Sequence, residues 1–418
     1  MNNINIFDYP NYLQIIFDKL YENSIKPIII GGFVRDFLLK RDSKDIDVEL
    51  YGVTSFTQLE SILQEFGEVN NVGKSFGVCK LSLETLEIDF TLPRIDNKIS
   101  SGHCGFEVKI DKDLDFKTAT SRRDFTINAI GYDPIEKKLL DPFNGLSDLE
   151  NKILRAVDIN KFAQDPLRVL RAVGFSSRLD FKIDNELFIL CKDMCNNNAL
   201  EELPKERIYE EIKKILLKST KPSVGFHLLK KLDALKYLSP IHKLKKEDFE
   251  EIVNAIDNIV KHKLNDNKTN ILLMLAVICN KFNKKEIREF LSNLTNEKIL
   301  EKKILSLVQN NFQDFYSDSE LFLLATKVNI EHFLIFSAAI NNLVDSEVFE
   351  NIKIRAKELK ILNEKASPFL QGRDILACGL KPSQQYSQIL SSAYTAQINL
   401  EIKNHEEAKK WLNKYLST

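Results

Sequence analysis

The sequence predicts an α+β chain, with a mixed-sheet head followed by an all-helical neck, body and tail. Two observations carry that reading. Up to about residue 150, strand-like apolar runs alternate with short helical segments, whereas beyond it almost every stretch has helical periodicity. At 418 residues the chain is also too long for one core. The expected division is a catalytic head at 1–150, a neck at 151–220, and a body and tail at 221–418.

Residues 11–22 have the apolar spacing of an amphipathic helix. Apolar runs predict strands at 26–30, 45–51 and 77–90, around a helix near 55–66. Alternation in KLSLETLEIDF puts Glu87 and Asp89 on one strand face. Residues 94–120 are polar, carry Gly102 and Gly105 and have few helix signals, so an irregular loop is expected there. Order returns at RRDFTINAIGYD, with a hairpin-like PIEKKLLDP at 134–142. Helices are then expected at 158–176, 185–195, 204–218, 222–236, 246–262, 268–281 and 284–312. Asp141-Pro-Phe-Asn-Gly-Leu-Ser reads as a turn that caps a helix at Ser147.

The chemistry is set by residues 28–49, IIIGGFVRDFLLKRDSKDIDVE. A strand turns at Gly31-Gly32 into a helix that starts near Phe33. Such a turn aims backbone N–H groups and the positive helix end at whatever sits there, which suits a phosphate. Asp45 and Asp47 then share one strand face. Two adjacent carboxylates repel unless a cation lies between them, so a divalent metal is the natural third member. Either feature alone is usually a turn or a solvated edge. Together, in this order, a phosphate cradle and a carboxylate pair imply nucleotidyl transfer. No Gly-Lys-Ser/Thr follows, which excludes a Walker A loop.

Composition excludes other classes. The formal net charge of −1 gives no global attraction for nucleic acid, so any RNA-binding face is local. The cysteines are scattered without a CxxC pair, which predicts reduced thiols and no zinc site. No stretch reaches membrane-spanning length, and the N-terminus lacks the pattern of a signal peptide. A cytoplasmic protein is expected.

Gly-Gly-x-Val-Arg-Asp followed by Asp-x-Asp resembles the polymerase-β-like nucleotidyltransferases. Within them it looks like the class II tRNA nucleotidyltransferases (CCA-adding enzymes) and bacterial poly(A) polymerases. The string Arg122-Arg123-Asp124-Phe125-Thr126-Ile127-Asn128 matches that family's second motif. The resemblance implies that Arg123, Arg122, Asp124 and Asn128 contact the incoming nucleotide and its ribose. Gly31, Gly32 and Arg35 would hold the triphosphate. Asp45 and Asp47 would be catalytic and bind two Mg2+ ions, with Asp89 as the candidate third carboxylate.

In Gln164-Asp165-Pro-Leu-Arg168-Val-Leu-Arg171, Asp165, Arg168 and Arg171 are spaced to share a helix face. An ordinary salt bridge explains such spacing. The alternative is base reading. Cytosine and adenine both present an amino donor beside a ring-nitrogen acceptor, which an Asp acceptor next to an Arg donor can match. The family's Glu-Asp-x-x-Arg motif is used in this way. Two departures stand out: Gln164 replaces the usual Glu, and Gly174 occupies a position where a further arginine commonly follows. Glu206-Arg-Ile-Tyr-Glu210-Glu211 resembles a fifth motif and reads as structural support.

Many relatives carry a C-terminal metal phosphohydrolase domain with a His-Asp pair in an apolar helix. Here the corresponding helix has Cys279-Asn280, so a degenerate hydrolase domain that binds tRNA is expected. The implied activity is CCA addition to tRNA 3′ ends from CTP and ATP, with tRNA as partner and no protein partner or membrane. A poly(A) polymerase, a partial CC- or A-adding enzyme, and an inactive RNA-binding scaffold are the alternatives.

Overall fold

A computed structural model describes every residue except 1–6, 8, 44, 71–76, 84–85, 99–105, 344–345, 381 and 418. The chain forms two compact units, Met1–Leu238 and Ser239–Thr418.

The first unit is built on a mixed sheet. Its strands are β1 (Lys26–Ile30), β2 (Ile46–Tyr51), β3 (Glu68–Asn70), β4 (Val78–Ser82) and β5 (Glu87–Thr91), completed by Gly131–Asp133 and Lys138–Leu140. The order places β2 centrally, antiparallel to β1 and parallel to β5. Helix α1 (Asn11–Glu22) covers the sheet through Leu13, Ile16, Phe17 and Leu20, the i, i+3, i+4, i+7 set of an amphipathic helix. Helix α2 (Gly32–Leu38) follows β1, and α3 (Phe56–Gln64) follows β2, capped by Ser55, whose Oγ accepts the Gln58 N–H.

The expected strand at 77–90 is two strands, because the chain reverses between Ser82 and Glu87. The expected irregular stretch at 94–120 is partly ordered: β6 (Arg94–Lys98) pairs antiparallel with β7 (Phe106–Ile110), and α4 (Phe116–Thr120) follows. Gly102 and Gly105 lie outside the described residues. With the last two strands of the sheet numbered β8 (Gly131–Asp133) and β9 (Lys138–Leu140), the expected hairpin is β8–β9. The next helix, α5, begins at Gly145 rather than Ser147. Asp141 is its cap, accepting the Gly145 and Leu146 N–H groups at 2.7 and 2.9 Å.

The expected helix at 158–176 is broken into α6 (Ile159–Ala163) and α7 (Leu167–Leu179). Pro166 lacks an N–H and disfavours helical backbone at Asp165, so the first helix ends and a second begins. Helices α8 (Asn185–Asn196), α9 (Lys205–Lys218) and α10 (Pro222–Lys231) complete the unit, and α7 packs on both α9 and α10.

The second unit is helical. Its α11 (Lys246–Lys261) packs on α12 (Asn267–Cys279), which is buried on all sides from Asn270 onward. The expected helix at 284–312 is two, Lys284–Ser292 and Lys298–Val308, and Asn283 starts the first with a capping box. Among the described residues no single helix is long and apolar enough to cross a membrane.

Candidate active site

Strand β1 runs into a reversal at Gly31, where φ is 79° and ψ −126°. This left-handed backbone favours glycine. Space makes the same demand, since a Cβ on Gly31 would lie 2.6 Å from Arg123 Nη1. Gly31 therefore lets the half-buried Arg123 pack its guanidinium against the turn. Gly32 is different: it has ordinary helical backbone, and a Cβ there would meet Arg35 Nη2 at a comfortable 3.8 Å. The Gly31 N–H is already donated to the Ile130 carbonyl at 3.2 Å.

Arg123 Nη1 donates to the Asn128 carbonyl at 3.2 Å, while its buried Nε has no hydrogen-bond partner. Burial and the neighbouring Arg122 push its pKa down, against Glu49 and Asp47. A half-buried cation in this state favours a nearby anion.

Asp47 on β2 and Asp89 on β5 are register partners on adjacent parallel strands, so their side chains stand side by side. Both are half-buried, and Asp45, just before β2, is exposed. Burial raises the Asp47 pKa, Asp89 and Asp45 add to the rise, and Arg123 opposes it. Asp89 Oδ1 is buried without a hydrogen bond, its nearest cation being Lys80 Nζ at 3.4 Å.

Among the described residues, no three His, Cys, Asp or Glu side chains converge tightly enough to hold a metal by themselves. Mg2+ does not need such a cage, because it is commonly held by one or two carboxylates together with substrate phosphates. Mutually repelling carboxylates fit that ion as a donor set.

Alternation on β2 continues to Glu49, fully buried on the same face as Asp47. Its carboxylate is already occupied: Oε1 accepts Arg122 Nη2 at 2.8 Å and Oε2 accepts the Tyr51 hydroxyl at 2.8 Å. Arg122 thus fastens its loop to β2.

A second network lies behind the turn. Arg35 donates Nη1 to Asn128 Oδ1 at 2.6 Å and pairs with Asp36 through Nε and Nη2. Asn128 Nδ2 donates to Asp124 Oδ1 at 2.9 Å, and Asp124 Oδ2 accepts Arg171 Nε at 2.7 Å. Burial would raise the Asp124 pKa, but Arg171 and Asn128 outweigh it and hold the carboxyl below its usual range. The candidate nucleotide ligands Arg35, Asp124 and Asn128 are therefore bonded to one another and tie α2 to α7.

Residues 28–155, which contain this arrangement, match the family model described as the poly A polymerase head domain. Over those residues the chain is similar to a poly(A) polymerase head. Residues 180–245 match a second model, a probable RNA and SrmB-binding site of polymerase A. A Multifunctional CCA protein of Neisseria meningitidis is 38% identical over 212 residues, covering 51% of this chain and 48% of its own length. Its Xylella fastidiosa namesake is 36% identical over 219 residues, covering 52% and 50%. The match thus spans about half the length of these curated relatives. A solved Bacillus stearothermophilus CCA-adding enzyme in complex with CTP shares the fold at a TM-score of 0.77, with 20% identity and 97% of each chain covered. A Thermotoga maritima CCA-adding enzyme complexed with tRNA gives a TM-score of 0.64 at 21% identity, covering 97% of this chain and 95% of that one.

Beyond the head, Asp165 precedes α7 and its Oδ1 accepts the Leu167 N–H at 3.1 Å. Arg168 donates Nη1 to the Lys161 carbonyl at 3.2 Å and Nη2 to the Arg122 carbonyl at 2.7 Å. Arg168 thus holds the Arg122 loop against the neck, and Arg171 does the same through Asp124. On α9, Lys213 and Lys214 pair with Glu210 and Glu211 one turn earlier.

Two residues of this region were not singled out from sequence. Phe175 carries three guanidinium groups around its ring, with Arg35, Arg171 and Arg178 Cζ at 5.0, 5.5 and 4.4 Å from the centroid. Arg178 was missed because it follows the recognised motif; its i+3 spacing from Phe175 and i+7 spacing from Arg171 were the available signal.

In the second unit, Cys279 is completely buried and its thiol pKa is pushed up by that burial. Asn280 follows as the cap of α12, its N–H bonded to the Val277 carbonyl.

Proposed function

We propose that the chain is a template-independent tRNA nucleotidyltransferase that adds CCA to tRNA 3′ ends from CTP and ATP, in the cytoplasm. The observation that carries this reading is the juxtaposition of Asp45, Asp47 and Asp89 with the Gly31 turn and the half-buried Arg123. The family models and the names of the relatives point the same way.

In this reading the terminal 3′-hydroxyl oxygen forms a bond to the α-phosphorus, and pyrophosphate leaves. Asp45 and Asp47, with Asp89 beside them, would hold Mg2+, which supplies Lewis-acid stabilisation of charge on the reacting phosphates. Arg123, pressed against Gly31, would orient the triphosphate electrostatically. Arg35, Asn128, Asp124 and Arg171 act as positioning residues, because their polar atoms are engaged with each other. Asp165 keeps Oδ2 available beside the anchored Arg168 and would accept from the base amino group.

The test is incubation of purified protein with tRNAs ending before, within and after CCA, with each nucleotide alone and in mixture. CTP should extend a tRNA lacking CCA by two residues, and ATP should then add one. Runs of adenosine would make the chain a poly(A) polymerase, addition of C alone or A alone would make it a partial enzyme, and no extension would overturn the reading.

A further inference from the structure

We infer that Arg178 is a phosphate-binding residue of the nucleotide site, taking the triphosphate of the incoming nucleotide. This deepens the proposed function and rests on it for the identity of the ligand.

The argument begins with Gly174. Side chains on a helix lean toward its N-terminus, so a residue covers the surface about one turn before it. Arg178 does so, donating Nε to the Gly174 carbonyl at 3.1 Å. Gly174 has no side chain to obstruct that path, and a Cβ there would have only Ile215 and Glu211 atoms at 3.7 and 4.0 Å. The space left at 174 faces α9, while the guanidinium of 178 is tied to the carbonyl of 174. Its own backbone is anchored as well, since Arg41 Nη1 donates to the Arg178 carbonyl at 3.0 Å.

Charge accounting then singles out this residue. Of the guanidinium groups around Phe175, Arg35 is paired with Asp36 and Arg171 with Asp124. Arg178 forms no ion pair among the described residues. The two acids that act on it electrostatically are Glu211 and Asp36, and these are committed to Lys214 and Arg35. Among the described residues, Nη1 and Nη2 of Arg178 have no hydrogen-bond partner, while Nε and the stacked ring fix the orientation of the plane. Burial first, and then the neighbouring Arg35 and Arg171, lower its pKa to about 10. A stacked guanidinium with an open two-donor edge and uncompensated charge is built for a phosphate. Its neighbour Arg35 lies on α2, the helix that the Gly31 turn starts.

The experiment is calorimetric titration of the full chain with CTP, ATP and CMP, and separately with tRNA, in wild type, Arg178→Gln and Arg178→Lys. Glutamine keeps a donor for the Gly174 carbonyl and removes the charge; lysine keeps the charge. In Arg178→Gln, CTP and ATP should bind roughly 10- to 100-fold more weakly, the range of a lost charge-assisted contact. CMP and tRNA should be little affected, and lysine should recover part of the loss. Equal weakening of CTP and CMP would mean that Arg178 contacts the nucleoside. Weaker tRNA binding with CTP unchanged would mean that the phosphate belongs to the RNA. A lower melting temperature with all affinities unchanged would mean that Arg178 only braces the helix. Any of these overturns the inference. Incorporation assays separate the two readings. If wild type extends tRNA but Arg178→Gln binds CTP normally, only this inference falls. If no tRNA is extended but CTP binding weakens, the inference stands and the proposed reaction falls.

Discussion

Arg171 Nη2 lies 2.6 Å from Asp124 Oδ2, and through that pair the helix α7 is fastened to the loop that also packs Arg123 against Gly31. Asp124 passes the connection on through Asn128 to Arg35. Removing one partner of a mostly buried pair leaves the other uncompensated, so Asp124→Ala should destabilise the first unit by roughly 3–5 kcal/mol. Arg171→Ala should cost at least as much, because it strands the more deeply buried Asp124 carboxylate, whereas Asp124→Ala strands a guanidinium that keeps some solvent. The double variant should cost less than the sum. Urea unfolding of the three variants and wild type measures this; strict additivity would show that the pair is not coupled.

The same carboxylate gives a pH dependence of known sign. Burial would raise the Asp124 pKa, but Arg171 and Asn128 hold it below the ordinary value of about 3.9. A depressed folded-state pKa adds stability that is present above the unfolded pKa and lost as pH falls through the folded one. Wild type should therefore exceed Asp124→Asn in stability at neutral pH. That advantage should shrink below about pH 4. Melting temperatures of both proteins across that range check it, and an advantage that grew on acidification would reverse the assignment.

Much of the head was legible because local pattern and tertiary demand agree there. The isoleucines of β1 and the stripe on α1 each serve the element that their spacing implies, whereas Asp45, expected on a strand face with Asp47, lies just before β2. The break at Pro166 was also written in the chain, yet periodicity on both sides concealed it. Other features needed the third dimension. That Asp89 stands beside Asp47 follows from strand pairing in register, and alternation alone could only put Asp89 on a face. The occupation of Glu49 by Arg122 joins residues far apart in sequence, as does the arginine cluster around Phe175. The pairing of β6 with β7 was hidden because polar strands outside a large core carry little hydrophobic signal.

For the carboxylates, Asp45→Ala and Asp47→Ala should each abolish incorporation while leaving the fold and tRNA binding nearly intact. Metal ligands serve the transition state more than substrate binding. Removing Asp47 also relieves its repulsion with Asp89 and Asp45, so Asp47→Ala should melt no lower than wild type by more than a few degrees. Single-turnover incorporation and circular dichroism test both statements, and retention of even about a tenth of the wild-type rate in both variants would sink the assignment.

The second unit should not hydrolyse phosphate esters. Cys279 is sealed in α12 and Asn280 caps that helix, so neither offers the ligands of a His-Asp pair. Chelated protein resupplied with Ni2+, Mn2+ or Mg2+ should be inert toward phosphatase and 2′,3′-cyclic phosphodiester substrates. Robust metal-dependent hydrolysis that survives Asp45→Ala would reveal an active site elsewhere in the chain.

Base choice gives the sharpest test of the neck. Asp165 does two jobs in the proposed reading: Oδ1 starts α7 by accepting the Leu167 N–H, and Oδ2 is left to accept from a base amino group. Arg168 is held in place by the Lys161 and Arg122 carbonyls, so it should keep its position when Asp165 is removed. Asp165→Ala should therefore slow correct CTP and ATP addition and relax rejection of UTP and GTP. A lost contact of roughly 1–3 kcal/mol corresponds to a change of roughly 10- to 100-fold in the CTP:UTP ratio of specificity constants. The helix-starting bond complicates the variant, because its loss alone should lower the melting temperature, at a cost of about 1 kcal/mol. Asp165→Asn separates the two jobs. Its side-chain oxygen can still accept the Leu167 N–H, but its amide presents donors where the base amino group needs an acceptor. Asparagine should restore most of the lost melting temperature and none of the discrimination. If both variants choose nucleotides as wild type does, Asp165 serves only to start the helix, and the base must be read elsewhere.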